Sequence, residues 1–342
     1  MPILSNILFD AVENKLCLSA TDLELGIEAR ISASVAEPGT ITLPARIFAD
    51  IVSNLPAASL TIDVSEGDTR ARITSENIKF EILGLPAADF PLMPSDKGEV
   101  VAQVDAGLLR TMIRQTSFAV STDETRPFLT GVYLALDGEE IRLVATDGGR
   151  LALRRAALSG VKGKIGAIVP GKTMGELVRV LGSAEGEVTI ASQENQLIFT
   201  VGGMRFVSRL IAGQFPAYEK VIPSEYKQRI KVGTERLLRA VRRASITARD
   251  SANVVRLSAT EETLTVSSNT PEVGKAQEEV EVRAEGETVP VAFNAKFLLD
   301  ALTNMDTAEV FFELTGSVSP GALRPVDYAE YVYVLAPVKV YG

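Results

Sequence analysis

Between residues 131 and 156 apolar and polar positions alternate with a period of two, in runs at 131–136, 140–145 and 150–156. Such alternation puts every second side chain on one face of a strand, and Asp137-Gly138 and Asp147-Gly148 supply the turn chemistry that joins the runs as hairpins. Upstream the period lengthens. Leu108, Leu109, Met112 and Ile113 share one helical face behind Asp105, a residue suited to cap a helix, which predicts a helix over 105–118. The apolar run 165–169 reads as a strand and 172–181 as a second helix. Further alternating runs at 187–191, 196–201 and 205–210 are joined by turns at Glu194-Asn195 and Gly202-Gly203. Two helices and about six strands bury their apolar faces when helices pack on one side of antiparallel sheets.

The same pattern occurs three times. Pro2-Ile-Leu-Ser-Asn through Leu18-Ser-Ala-Thr21-Asp22 aligns without a gap on Pro127-Phe-Leu-Thr-Gly through Leu143-Val-Ala-Thr146-Asp147, and a weaker copy starts at Val254-Val-Arg-Leu. Leu43-Pro44 with Asp50–Leu55 recurs as Val169-Pro170 with Glu176–Leu181 and as Phe293-Asn294 with Asp300–Met305. Asp89-Phe90-Pro91 with Pro94 returns as Gln214-Phe215-Pro216 with Pro223, so the segments 86–94 and 216–223 read as linkers. A period of roughly 125 residues is a whole domain rather than a solenoid repeat, and predicts domains at 1–97, 98–226 and 227–342. The first copy is short. Helix 105–118 precedes Pro127 and its counterpart over 234–246 precedes the third copy, but only Met1 precedes Pro2. A sheet bearing Ile7, Leu16 and Leu18 would then expose an apolar patch of roughly several hundred Å², so a start about 25 residues upstream is expected.

Composition narrows the chemistry. With 46% hydrophobic and 23% charged residues the 342-residue chain reads as globular. There is no histidine, which removes Ser-His-Asp and Cys-His nucleophiles and the commonest metal ligand. Asp123-Glu124 and Glu278-Glu279 read as solvated surface; no catalytic residue, metal or cofactor is expected. The lone Cys17 and the absence of a leader or an apolar span point to the cytoplasm.

Gly166-Ala-Ile-Val-Pro-Gly171-Lys172-Thr173 matches the phosphate-loop pattern by letter, but Ala-Ile-Val-Pro are strand formers and proline lacks an N–H for phosphate. What recurs instead is a basic residue at a strand-to-helix junction: Arg46, Lys172 and Lys296. Arg110 and Arg114 are matched by Arg239 and Arg243, joined by Arg236, Arg242 and Arg179. These ten cations face four helical carboxylates, Asp50, Glu176, Glu235 and Asp300, in a chain of net charge −9. Segregated positive charge suits a polyanion; ordinary amphipathic helices with solvated arginines remain the alternative. The C-terminal run 331–340 reads as a final strand, and its apolar tail could also line a peptide groove.

These features together resemble the bacterial sliding clamp, the beta subunit of the DNA polymerase III holoenzyme. The resemblance spans the chain and rests on Pro2-Ile-Leu-Ser-Asn, Ala20-Thr-Asp-Leu-Glu, Leu85-Pro-Ala-Ala-Asp-Phe-Pro91, Ala145-Thr-Asp-Gly, Phe215-Pro-Ala-Tyr, Phe293-Asn294 and Tyr333-Val-Leu-Ala-Pro-Val. It implies an α+β fold of three similar clamp domains, each with helices on antiparallel sheets, closing head to tail with a second chain into a ring. The implied function is non-enzymatic: the dimeric ring encircles double-stranded DNA irrespective of sequence and tethers the replicative polymerase. Clamp-loader subunits and other clamp-motif proteins are the further implied partners. The family's partner-peptide groove maps to Leu129, Thr146, Gly148, Gly149, Arg150, Leu151, Pro223, Asn294, Phe297, Val318, Pro320, Val334, Leu335, Ala336, Pro337 and Val338. The DNA-facing set is Arg46, Arg110, Arg114, Arg126, Phe128, Lys172, Arg179, Arg236, Arg239, Arg243 and Lys296. The dimer contact joins Ile47, Ile51, Leu55, Phe80 and Ile82 to Arg243, Ile246 and Thr247 of the other chain. Two departures shrink the groove's side chains: Gly149 stands where the family commonly has His, and Ala336 and Val338 where it often has Met. A phosphate-loop nucleotidase using Lys172 and Thr173, and a protein-only scaffold, are the rival functions.

Overall fold

The computed structural model describes residues 2–65, 67, 69–93, 98–182, 184–249 and 253–339. Expectations that touch Met1, Pro94 and Val340 lie outside the described residues. Two compact units divide the chain: residues 1–106 with 184–209, and residues 107–183 with 210–342.

The first unit contains β1 (Asn6–Val12), β2 (Lys15–Thr21), β3 (Leu25–Ser32), β4 (Gly39–Pro44), α1 (Ala45–Asn54), β5 (Thr61–Val64), β6 (Arg70–Ser75), β7 (Ile78–Leu83) and β8 (Glu99–Asp105). Later in the chain β13 (Glu187–Gln193), β14 (Gln196–Val201) and β15 (Met204–Arg209) return to it. Eight strands form an antiparallel sheet in the order β4-β1-β2-β3-β15-β14-β13-β8, and β5-β6-β7 form a second sheet. The seam lies between β3 and β15, from Ala29 opposite Met204 to Leu25 opposite Ser208, so a first-repeat strand pairs with the last strand of the second repeat. Ile7, Leu16 and Leu18 are half-buried and pack with Phe48 and Ile62 around Phe9, Ile41, Leu43 and Ala71. The bare apolar face expected at these residues is thus partly covered: Phe48 of α1 meets Phe9 edge to face at 4.8 Å.

The second unit opens within α2 (Ala106–Thr116), at its second residue, followed by β9 (Gly131–Asp137), β10 (Glu140–Thr146), β11 (Arg150–Ala157), β12 (Lys164–Pro170) and α3 (Gly171–Leu181). Its later part holds β16 (Gln228–Gly233), α4 (Thr234–Ala248), β17 (Val254–Ala259), β18 (Thr263–Thr270), β19 (Gly274–Glu281), β20 (Arg283–Gly286), β21 (Val291–Asn294), α5 (Ala295–Thr303), β22 (Glu309–Leu314), β23 (Gly321–Pro325) and β24 (Tyr331–Leu335). Nine strands run β12-β9-β10-β11-β24-β23-β22-β16-β20, and a four-stranded sheet runs β19-β18-β17-β21. The predicted helical face is buried: Leu109, Met112 and Ile113 are fully inaccessible. β11 and β24 repeat the seam of the first unit, from Arg150 opposite Leu335 to Arg154 opposite Tyr331.

The repeat is legible at the level of single hydrogen bonds. Thr21 Oγ1 donates to the Leu25 carbonyl at 2.9 Å and accepts from the Leu23 amide, while Asp22 Oδ1 accepts from the amides of Glu24 and Leu25. Thr146 and Asp147 make the same four bonds to Arg150, Gly148 and Gly149. Both turns need a left-handed residue, Leu23 at φ +77° and Gly148 at φ +93°; glycine adopts it without strain. The segments before β1 and β9, Pro2–Ser5 and Pro127–Leu129, are both single 3-10 turns.

The phosphate-loop pattern dissolves into this fold. Ala167, Ile168 and Val169 lie in β12, paired to Leu134, Tyr133 and Val132, and α3 begins directly at Gly171. No loop separates Gly166 from the helix, and a side chain at Gly166 would collide with the Tyr133 hydroxyl.

Candidate functional site

The implied groove residues all belong to the second unit, where the β11–β24 seam meets the chain's last described residues. Because side chains alternate along a strand, the seam has two distinct faces. Leu151 and Val334, paired across it, join Val144, Leu153, Tyr218, Ala322 and Val332 in one apolar cluster, against which Phe215 and Ile222 pack. Arg150 and Leu335, also paired, point to the other face. Leu335 is fully buried and Arg150 is 7% exposed. The pleat thus splits the implied groove residues between the two faces of the seam, with Arg150 and Leu335 on the face opposite Leu151 and Val334. Leu129 and Thr146 are buried as well, whereas Val318 is 67% exposed and Ala336 and Pro320 are exposed.

Arg150 organises that core. Its guanidinium donates to Asp147 Oδ2 at 2.9 Å, Asp300 Oδ2 at 2.6 Å and the Phe118 carbonyl at 2.9 Å, and lies 4.5 Å from the Phe297 ring centroid. Burial opposes its charge, but the hydrogen bond to Asp300 and the nearby Asp147 carboxylate outweigh burial and hold its pKa above the ordinary guanidinium value. The Tyr333 hydroxyl donates to the Phe297 carbonyl at 2.9 Å, and burial drives its pKa up. Gly149 stands against the same ring, where an added Cβ would approach Phe297 Cε2 at 3.2 Å. The missing His side chain of the resemblance thus coincides with a position that Phe297 crowds.

The chain end ties the two sheets of this unit together. The Ala336 amide donates to the Gly149 carbonyl at 2.9 Å, beside the nine-stranded sheet. Two residues on, the Val338 amide donates to the Ala292 carbonyl at 2.8 Å, on β21 of the four-stranded sheet. Asn294, at the end of β21, caps α5 through its side chain, which accepts from the Lys296 amide at 2.9 Å. Pro223 lends its carbonyl to Arg324 at 3.3 Å. Val318 and Val338 line a cleft of about 550 Å³ whose other walls, including Arg256, Ser258 and Lys339, the sequence did not single out. An exposed arginine within a strand carries no sequence signal until the strand's outer face is known.

The helical cations divide into two classes. Arg179 pairs with Glu176 at 3.3 Å, Arg239 with Glu235 at 2.6 Å, Lys296 with Asp300 at 2.9 Å and Arg126 with Asp123 at 3.1 Å. Arg114 pairs with Asp306, Arg236 with Glu281 at 2.9 Å, and Arg243 with Glu278 at 2.5 Å. The acids paired with the helical Arg114, Arg236 and Arg243 lie off the helices, so the helical charge balance read from sequence overstates the free positive field. The Arg243 guanidinium holds the Glu278 carboxyl below the usual range. Arg46, Arg110 and Arg242 are exposed and bear no carboxylate partner among the described residues. Phe128 lies in the 3-10 turn Pro127–Leu129, with its Cβ 3.5 Å from where a Cβ on Gly213 would stand. Among the residues implied for chain–chain contact, Ile47 is 51%, Ile246 58% and Phe80 38% exposed. Ile82 is 6% exposed and packs inward, and Thr247 is held by hydrogen bonds to Ser268 and Thr270. Ile82 is thus the least exposed of the residues implied for chain–chain contact.

Comparison with known proteins agrees along the whole chain. Models of the DNA polymerase III beta subunit match its N-terminal domain at residues 1–94, its central domain at 103–217 and its C-terminal domain at 219–339. A beta sliding clamp of Staphylococcus aureus is 34% identical over 351 residues, covering 100% of this chain and 93% of that protein. The DNA polymerase sliding clamp of Bacillus subtilis superposes with a TM-score of 0.94 at 36% identity, covering 100% of this chain and 93% of that one. A Bartonella birtlesii clamp bound to griselimycin gives 0.93 at 34% identity, covering 99% and 92%. The chain belongs to the bacterial beta sliding clamp family, the beta subunit of DNA polymerase III.

Proposed function

We infer that two copies of this chain close into a ring around duplex DNA and hold the replicative polymerase on its template. As a sliding clamp it is a processivity subunit and not an enzyme. The observation that carries the DNA-facing role is the placement of Arg46, Arg110 and Arg242, cations with no carboxylate partner among the described residues, on helices of an acidic chain. Phosphate contacts of this kind are independent of sequence and individually weak, so the ring slides. Retention is topological, and a tethered polymerase that lets go rebinds at high effective concentration. Division into domains at 97/98 and 226/227, a cytoplasmic location beside replicating DNA, and service to clamp-loader and other clamp-motif proteins belong to the same proposal.

Two exposed strand edges support closure. β7 ends the three-stranded sheet of the first unit and β19 ends the four-stranded sheet of the second. Each edge offers backbone groups to another chain. Pairing β7 of one chain with β19 of its partner, twice, gives a head-to-tail closed ring. The peptide groove is built on the Leu151–Val334 face, with Val318, Pro320, Ala336 and Val338 at its accessible rim.

The charge test separates the two cation classes. Changing Arg46, Arg110 and Arg242 to Glu should weaken DNA retention and flatten the log–log salt dependence by about 0.9 for each phosphate no longer engaged. Arg239→Glu, whose cation is already held by Glu235, should change the slope less. Equal slopes for the triple variant and the parent would remove the helices from the DNA-facing surface.

A further inference from the structure

The four-stranded sheet presents Arg256, Ser258, Thr265 and Ser267 on the face opposite the buried Val255, Leu257, Leu264 and Val266. These outward residues form part of the wall of the cleft of about 550 Å³. Register fixes their neighbours. Arg256 stands between Ser267 on β18 and Ala292 on β21, and the Ala292 carbonyl takes the Val338 amide. At the usual strand spacing, Arg256 and the Val338–Lys339 segment are thus about 10 Å apart across one row. Among the described residues the lining between them is apolar or hydroxylic, and Arg256 and Lys339 are its only charged members. Arg256 is exposed and has no carboxylate partner among the described residues. In a chain of net charge −9, a cleft whose described lining holds two cations and no carboxylate stands out against its surroundings.

We propose that this cleft receives a carboxylate-bearing segment of the partner peptide, flanking the apolar residues that enter the neighbouring groove. The inference rests on the groove reading above, because Val318 and Val338, which that reading places at the groove's rim, also line this cleft. Arg256 and Lys339 neutralise an Asp or Glu side chain, while Ser258 and Ser267 offer hydroxyl donors to its second oxygen. Val318 and Val338 cover the peptide's aliphatic atoms. The consequence is a fixed distance between apolar anchors and acidic residue, set by the span from the Leu151–Val334 face to Arg256.

The test is selection of short, displayed random peptides on the parent chain and on Arg256→Glu/Lys339→Glu, followed by titration of the selected sequences. The parent should enrich apolar anchors with a carboxylate at constant offset. The variant should keep the anchors and lose or invert the charge preference. In titration, replacing that carboxylate by its amide should weaken parent binding about fivefold, the range for an exposed pair with two cations, and leave variant binding unchanged. Anchors without a charge preference on the parent, or the same preference on both proteins, would overturn the proposal and leave the groove intact. Absence of any apolar consensus would overturn both. A variant that lowers DNA retention without altering peptide preference would assign the cleft to phosphate instead, which also overturns it. Arg256→Ser, which keeps the outward position polar, replaces the double variant if its thermal midpoint falls.

Discussion

Arg150→Ala should lower the unfolding free energy by about 3–5 kcal/mol, the range for breaking a buried ion pair from one side. The arginine is 7% exposed and joins Asp147, Asp300 and the Phe118 carbonyl. Truncation leaves these three acceptors facing a cavity under Phe297, and an unpaired buried acceptor costs more than the hydrogen bond itself is worth. The damage is not local to one strand. Asp147 also fixes the turn that presents the Gly149 carbonyl to Ala336, and Asp300 is shared with Lys296 on α5. Loss of peptide binding should therefore accompany the loss of stability. Arg150→Lys keeps the charge but lacks the planar fork that reaches three acceptors, and should fall between. Denaturant unfolding of the three proteins measures this; an alanine variant within about 1 kcal/mol of the parent would show that the seam does not depend on the network.

Phe80→Glu with Ile246→Glu should convert the dimer to monomer, weakening association by about 2–4 kcal/mol, typical of hot-spot residues. Both side chains are exposed for their size, Phe80 at 38% on the edge strand β7 and Ile246 at 58% on α4. Neither is needed for the chain's own core, so folding should be preserved. Ile82→Glu serves as the contrast: at 6% exposure it should destabilise the fold rather than the association. Light scattering after size exclusion, with a parallel thermal melt, separates the two outcomes. A dimer that survives the double substitution would place the chain–chain contact elsewhere.

Much of this architecture was written locally. The alternation at 131–156 gave strands accurate to a residue or two because each buries one face, and Asp137-Gly138 marked the hairpin because glycine there has φ +64°. The repeat was legible because identical turn bonds need identical Thr-Asp residues at 21–22 and 146–147. The pairing of β3 with β15, and of β11 with β24, was not legible, since strand partners far apart in sequence share no local signal. Burial parity at the seam was hidden for the same reason. Arg150 and Leu335 sit next to Leu151 and Val334 in sequence, yet the pleat sends them to the opposite face. The charge count failed physically rather than arithmetically: Asp306, Glu278 and Glu281 lie outside the helices but neutralise Arg114, Arg243 and Arg236. The burial of Ile82 beside the exposed Phe80 was hidden because an edge strand looks the same from sequence whether its apolar residue faces inward or toward a partner.

Topological linkage to DNA is the central claim, and one measurement addresses it directly. The protein is loaded by a clamp loader onto singly nicked circular DNA, freed of unbound protein, and followed by gel filtration before and after the circle is cut once by a restriction enzyme. A closed ring should stay with the circle through high-salt washing, because it is threaded rather than bound, and should leave soon after linearisation by sliding off the ends. Dissociation at the same rate from circle and linear DNA, with a steep dependence on salt, would contradict the ring and leave an ordinary electrostatic DNA-binding protein in its place.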